Sequence, residues 1–388
     1  MKILIASDTF YPSINGASYF TKRLATMLAK RGHEVFVFAP SKNLKDNISI
    51  HDNVTVYGIR SISVPIYPNF RISPLFWARK VIKKHIQEIR PDIIHIQNHF
   101  MIGKGVALAA QELNIPIVGT NHFMPENLMH YFHLPKFTES YLKKFGWHQF
   151  AEVYKQLDAI TTPTKTAARL IESLDLGKDI IPVSCGIDLK RFNPNNNGEY
   201  LKKKFNIPQK CSIMLYVGRL DKEKKIELII RSLPEIIKNV NVHLVIAGVG
   251  KLKTQLEALA QRLGVRNNIT FTGFVADNDL PNLYRVAGLF VIAGIAELQS
   301  IVTMEAMASG LPILAVDAMA LPELAHNKEN GYLFSNGDNK MLSLLAIKIF
   351  SDKKLQERMS RKSLEIIQAH DIDRTIEKYE SLYHQAIT

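Results

Sequence analysis

The stretch IMLYVGRLDKEKKIE, residues 213–227, decides the fold. Ile213–Val217 is a short apolar run of the kind that forms a strand buried on both faces. Gly218 ends it, a charged loop follows, and a helical pattern opens at Ile226. Strand, glycine, loop and helix make up one parallel α/β unit. This unit restarts a series that has already run once. Upstream, KILIAS, EVFVFAP, VTVYGI, DIIHIQ, PIVGTN and AITTPT read as strands, separated by helical segments such as FTKRLATMLAKRG, which stops at Gly32. Downstream, VHLVIAG, NITFTG, LFVIAG and PILAVD continue the second series.

Two series imply an α/β protein of two doubly wound, Rossmann-like domains. The expected limits are residues 1–188 and 189–371, with RFNPNNNGEYLKKKF, rich in Asn, Pro and Gly, as linker. A length of 388 residues agrees with two cores rather than one. Stacked in this way, the carboxyl ends of both sheets face each other across a cleft. Ligands of such sheets bind at those ends, so the loops after strands carry the functional signal.

Composition narrows the class. Hydrophobic content of 46% and charged content of 22% are those of a soluble globular protein. No apolar run approaches the roughly 18–20 residues that span a bilayer. The start, MKILIASDTFYPS, lacks the long apolar core of a signal peptide. Cys185 and Cys211 give neither a disulfide framework nor metal-ligand spacing, so a cytoplasmic protein is expected. The formal charge is +13. Residues 1–185 hold 22 basic and 14 acidic side chains and the rest hold 27 and 22, so the excess leans toward the first half. An anionic partner fits: a phosphorylated substrate, a membrane face or nucleic acid. A basic surface kept for solubility is the plainer alternative.

Five loops follow strands. In DTFYPSINGAS, Asn15-Gly16 opens a helix, where a bare backbone and a helix N-terminus favour an anion, although a lone turn glycine is common. In VGRLDKEKKIE, Arg219 and Lys224 suit a diphosphate, Arg as a fork and Lys as a point charge; a mixed, solvated charge run is the rival reading. AGVGKLKTQ has Gly248 and Gly250 but lacks the third glycine and downstream acid of a dinucleotide fingerprint. In GTNHFMPENL, His122 ends a strand, and only that position lifts it above an ordinary structural histidine. In AELQSIVTMEAMASGLP, Glu297 precedes a helix and Glu305 lies inside it among apolar residues, where a carboxylate is costly unless paired. Each acid can accept from hydroxyls at a different part of a long ligand, with amides near Leu298–Ile301 toward an anion between them. A polyol, a phosphate and a second polyol in series describe a nucleotide sugar.

Glu297-x7-Glu305 followed by AMASGLP resembles the signature of retaining glycosyltransferases of the GT-B fold, notably family 4. FYPSINGAS, PVSCGIDLKRFNP, VGRLDKEKK, ITFTGFV, LPNLYRVAGLFV and ENGYLF support the likeness along the whole chain. The resemblance implies roles. Gly16 lets the first loop reach the donor phosphate. Arg219 and Lys224 bind the diphosphate and stabilise it as leaving group. Glu305 accepts from ribose hydroxyls, and Glu297 holds the transferred sugar with amides from Gln299, Ser300 and Ile301. Phe274 and Val275 lie where the base is held, and His122 sits near the reacting sugar. A C-terminal helix over residues 372–388, which includes IDRTIEKYESLYHQAI, is expected to return to the first domain. The chain departs from the family at Cys185 (usually Asn), Lys225 (usually Gly), Ser300 (often Gly) and Ala293-Gly294 (commonly Pro-Ser).

The implied reaction is metal-free transfer of a hexose, with UDP-glucose as expected donor and retention at the anomeric carbon. NHFMPENLMHY further resembles bacterial enzymes that glucosylate diacylglycerol. Two basic, aromatic-rich segments, RISPLFWARKVIKKHIQEIRP and HLPKFTESYLKKFGWHQF, fit a lipid acceptor and an anionic membrane surface, hence peripheral attachment at the inner face of the cell membrane. A helix packing its apolar face on the sheet is the alternative. Two rivals come from other classes: an epimerase or phosphorylase on the same scaffold, and a nucleic-acid binder, for which no recognition motif is present, so no nucleic-acid partner is expected.

Overall fold

The computed structural model describes residues 1–11, 15–64, 71–124 and 136–388. The chain divides into two compact units: Met1–Cys185 with Thr375–Thr388, and Gly186–Arg374.

The first unit holds an eight-stranded sheet. Its strands, in chain order, are β1 Lys2–Ala6, β2 Glu34–Pro40, β3 Asn47–His51, β4 Val54–Ile59, β7 Ile93–Ile96, β8 Ile117–Thr120, β9 Ala159–Thr162 and β10 Ile180–Pro182, with a separate short pair, β5 Ile62–Ser63 and β6 Arg71–Ile72. The spatial order is β10-β9-β8-β7-β1-β2-β4-β3. All neighbours run parallel except β3, which pairs antiparallel to β4. The apolar runs follow from burial on both faces: Ile3, Leu4, Ile5 and Ala6 are fully buried. The helix Gly16–Lys30 starts on Asn15, whose side chain accepts from Ser18 N at 2.8 Å, and ends before Gly32 at φ +88°.

The chain moves outward from β1 through β2 to β4, then returns to the other side of β1 with β7. The order reverses between β1 and β7, and that is where a doubly wound sheet opens a crevice. Asp8 and Asn98 meet there. The Asp8 carboxylate accepts from Ile102 N (2.8 Å) and Gly103 N (3.2 Å) at the start of the helix Met101–Glu112. Burial nonetheless lifts its pKa to about 6.

The second unit has six parallel strands: β11 Ser212–Val217, β12 Val242–Ala247, β13 Ile269–Gly273, β14 Leu289–Ile292, β15 Ile313–Val316 and β16 Gly331–Phe334. Their order, β13-β12-β11-β14-β15-β16, reverses between β11 and β14. The stretch expected to be a linker lies inside this unit. Arg191 donates to Asp277 O (2.6 Å), Tyr200 Oη to Asp279 Oδ1 (2.6 Å), and Lys204 pairs with Asp279. A side chain at Gly198 would strike Asn282 O. Asn and Gly here serve close packing rather than freedom of the chain.

The helix Leu75–Ile89 packs Ala78, Ile82, Ile86 and Ile89 into the core. Arg79 and Lys83 both pair with Glu112 at 2.6 Å, and Lys84 lies 3.7 Å from Glu88. The plainer reading of this segment therefore accounts for its apolar face, although Phe76 remains exposed. The final helix, Ile372–Ile387, places Tyr379 and Tyr383 fully buried in the first unit. Among the described residues, no helix is long and apolar enough to cross a membrane.

Candidate active site

In the second unit, the reversal between β11 and β14 brings together residues that stand 73 positions apart. Lys224 Nζ lies 2.6 Å from Glu297 Oε1, and Ile295 N donates to Glu223 O at 3.2 Å. Arg219 is ion-paired with Asp221 and donates to Glu223 Oε1 at 2.8 Å. Glu223, part of what reads as a solvated charge run, is only 2% exposed and braces the Arg219 guanidinium. The glycines of AGVGK hold this loop in shape. A Cβ at Gly248 would sit 1.9 Å from Gly218 O, and one at Gly250 would sit 2.5 Å from Leu220 O. Leu220 N and Leu252 N continue the inter-strand pairing past the strand ends. These glycines thus serve backbone contact between two loops, with no phosphate needed to explain them.

Glu305 lies in the helix Ile301–Ala308 after β14 and is 8% exposed. Its cost of burial is offset by Tyr284, whose hydroxyl donates to Oε2 at 2.7 Å; burial and that carboxylate raise the phenol well above its ordinary range. Ser300 caps the helix, accepting from Thr303 N (3.4 Å) and Thr303 Oγ1 (2.8 Å). Gly294 leaves room for the ion pair, since a Cβ there would meet Glu297 Oε1 at 3.0 Å and Lys224 Cδ at 3.5 Å.

Two models match. Residues 14–191 match "Glycosyltransferase Family 4" and residues 198–365 match "Glycosyl transferases group 1". The chain is a group 1, family 4-like glycosyltransferase. It is 26% identical to the alpha-monoglucosyldiacylglycerol synthase of Streptococcus pneumoniae over 94% of this chain and 82% of that protein. It is 27% identical to a GDP-mannose-dependent alpha-mannosyltransferase of Corynebacterium glutamicum over 88% of this chain and 78% of that one. Anabaena HepE, solved in complex with UDP-glucose, superposes with a TM-score of 0.78 at 17% identity, covering 98% of this chain and 99% of HepE. The glycosyltransferase has the two-domain GT-B fold.

In this glycosyltransferase the remaining expected site residues distribute as follows. Gly273 turns the chain out of β13 at φ +70°, leaving Phe274 55% exposed and Val275 buried. Gln299 precedes the Ser300 cap, and Ile301 begins the helix. Lys225, at a position usually Gly, adopts φ +51° and ψ +36°, the left-handed region that explains the usual residue. Cys185 is buried, its thiol pushed up to about 12, and it contributes its carbonyl, which accepts from Arg23 at 2.9 Å.

In the first unit, Gly16 opens the helix Gly16–Lys30. His122 follows β8 and is half-buried, and burial lowers its pKa to about 4. Its Nε2 lies 3.0 Å from Gln97 Oε1, and its ring packs 5.0 Å from that of Phe20. Tyr284, Glu223 and Gln97, which hydrogen-bond to the expected site residues Glu305, Arg219 and His122, do not stand out in the sequence. Tyr284 stands 21 positions from its partner and Gln97 stands 25 from its own, and neither separation leaves a local pattern.

Proposed function

We propose that the enzyme transfers a hexose, with retention, from a nucleotide sugar to the hydroxyl of a membrane lipid, with UDP-glucose as donor and diacylglycerol as the acceptor class. The observation that carries this reading is the Lys224–Glu297 pair at the β11/β14 reversal, with Arg219 in the same loop after β11 and Glu305, bonded to Tyr284, on the helix that follows Glu297. On this reading the cations take the diphosphate and the acids take the hydroxyls. The 26% relative named for monoglucosyldiacylglycerol synthesis supports the lipid acceptor.

In the proposed reaction the bond between the anomeric carbon and the diphosphate oxygen breaks first, and its electron pair leaves with the diphosphate. Lys224 and Arg219 stabilise that charge, a preorganised electrostatic effect. The acceptor oxygen attacks the same face, and its proton passes to the departing phosphate oxygen. Glu297 orients the sugar, Glu305 holds the ribose, and the backbone at Phe274 and Val275 takes the base. Gln299, Ser300 and Ile301 present backbone near the sugar, Gly16 allows the first loop close to the phosphate, and His122 stands by the reacting sugar.

A GDP-mannose donor is the second reading, favoured by the mannosyltransferase relatives. Hydrolysis of UDP-, GDP- and ADP-sugars by the purified enzyme, followed by transfer to acceptors from lipid extract, separates the two. Turnover of no sugar nucleotide with any lipid would defeat both.

A further inference from the structure

His95 on β7 is fully buried, and both of its ring nitrogens are engaged. Nδ1 lies 2.7 Å from the Tyr383 hydroxyl, on the last helix and 288 positions away. Nε2 lies 3.1 Å from Gln97 Nε2 and 2.7 Å from Thr120 Oγ1. An amide nitrogen only donates, so His95 Nε2 accepts and the proton of the neutral ring sits on Nδ1, facing Tyr383. The other end of the same amide is fixed in turn. Gln97 Oε1 only accepts, and at 3.0 Å it takes the proton of His122 Nε2. That leaves His122 Nδ1 as a bare lone pair, which has no hydrogen-bond partner among the described residues. Burial holds His95 neutral, its pKa lowered to about 3, so the chain of roles does not reverse by protonation near neutral pH.

We propose that Tyr383, His95 and Gln97 are positioning residues that fix the tautomer of His122, keeping its proton on Nε2 and its Nδ1 an acceptor. A sugar hydroxyl could then only donate to His122. This functional consequence rests on the proposed place of His122 beside the reacting sugar; the tautomer does not.

The test is a ¹H–¹⁵N spectrum of the ligand-free full chain with ¹⁵N-labelled histidine, in which His122 is assigned by the signal lost in His122→Gln. The expected pattern is Nε2–H for His122 and Nδ1–H for His95. Tyr383→Phe removes the acceptor for the His95 proton. His95 then moves to Nε2–H, the Gln97 amide turns over, and His122 becomes Nδ1–H. Gln97→Leu cuts the relay, so that His122 no longer responds to Tyr383→Phe. An Nδ1–H pattern for His122 in the unaltered enzyme would overturn the proposal, and that spectrum requires no variant to fold. So would an unchanged His122 pattern in folded Tyr383→Phe. The kinetic arm uses the same Tyr383→Phe enzyme, with kcat/KM for the donor expected to fall about tenfold, mostly through KM. If the spectra switch and the kinetics do not, the relay stands and the placement of His122 at the sugar falls.

Discussion

Lys224 Nζ and Glu297 Oε1 are 2.6 Å apart, joining the loop after β11 to the loop after β14, with both side chains largely buried. The pair is the hinge of the proposed donor site, since the same lysine is to hold the diphosphate and the same glutamate the sugar. Lys224→Ala should lower turnover at least about tenfold, because it removes a charge-assisted contact and leaves Glu297 uncompensated. Steady-state rates of the folded variant check this, and an unchanged kcat would remove Lys224 from the mechanism.

Glu305 and Tyr284 form the second pair. Glu305→Gln should also cost at least about tenfold in turnover. Tyr284→Phe leaves the carboxylate in place but unoriented, so a rise in donor KM with a smaller change in kcat is expected. Equal donor affinity in all three enzymes, measured by calorimetry with the free nucleoside diphosphate, would place Glu305 outside the ribose site.

Stability should fall on mild acidification. His95 and His122 have folded pKa values near 3 and 4, below the ordinary 6.5. Above 6.5 both states are neutral and the favourable burial is intact; as pH falls below 6.5 the unfolded chain takes up protons first. Each histidine then contributes up to about 1.4 kcal/mol of lost stability per pH unit, until its folded pKa is reached. Asp8 acts the other way: its folded pKa near 6 exceeds 3.8, so its contribution grows as pH falls through that window. Urea melts of wild type and Asp8→Asn between pH 7 and 4.5 should show a steeper acid loss in the variant. Parallel curves would refute the assignment.

Gly248→Ala should be severe. Its Cβ would stand 1.9 Å from a backbone oxygen that cannot move aside, at φ +144°. A cost of at least about 2–3 kcal/mol is expected, or roughly 5–10 °C in the melting temperature of the second unit. Calorimetry checks it.

Transfer is expected to survive a chelator. If activity is abolished by chelation and restored by a divalent ion, the cation-and-amide account of leaving-group stabilisation is wrong.

Much of the fold is legible because parallel strands covered on both faces must be apolar runs, as at Ile93–Ile96 and Leu289–Ile292. Strand β3 is not, because Asn47–His51 sits at a sheet edge with Ile48 and Ile50 exposed and lacks that pattern. Arg219, Lys224 and Glu297 stand out as candidates in the sequence because strand ends point to them. Their surroundings do not: Glu223 looks like surface charge until the loop folds it inward, and Lys225 hides a backbone conformation that a side chain ordinarily disfavours. The His95 relay depends on a tyrosine at the far end of the chain, and no local signal announces such a contact.

That last contact also bears on biosynthesis. The strands of the first unit are synthesised early, yet the pocket that receives Tyr379 and Tyr383 stays empty until residues 375–388 have also been made. The nascent amino-terminal half must therefore wait, with His95 uncovered, while all of Gly186–Arg374 is made. A chain cut at Cys185 would be a permanent version of that waiting state, and a natural target for chaperones and proteases.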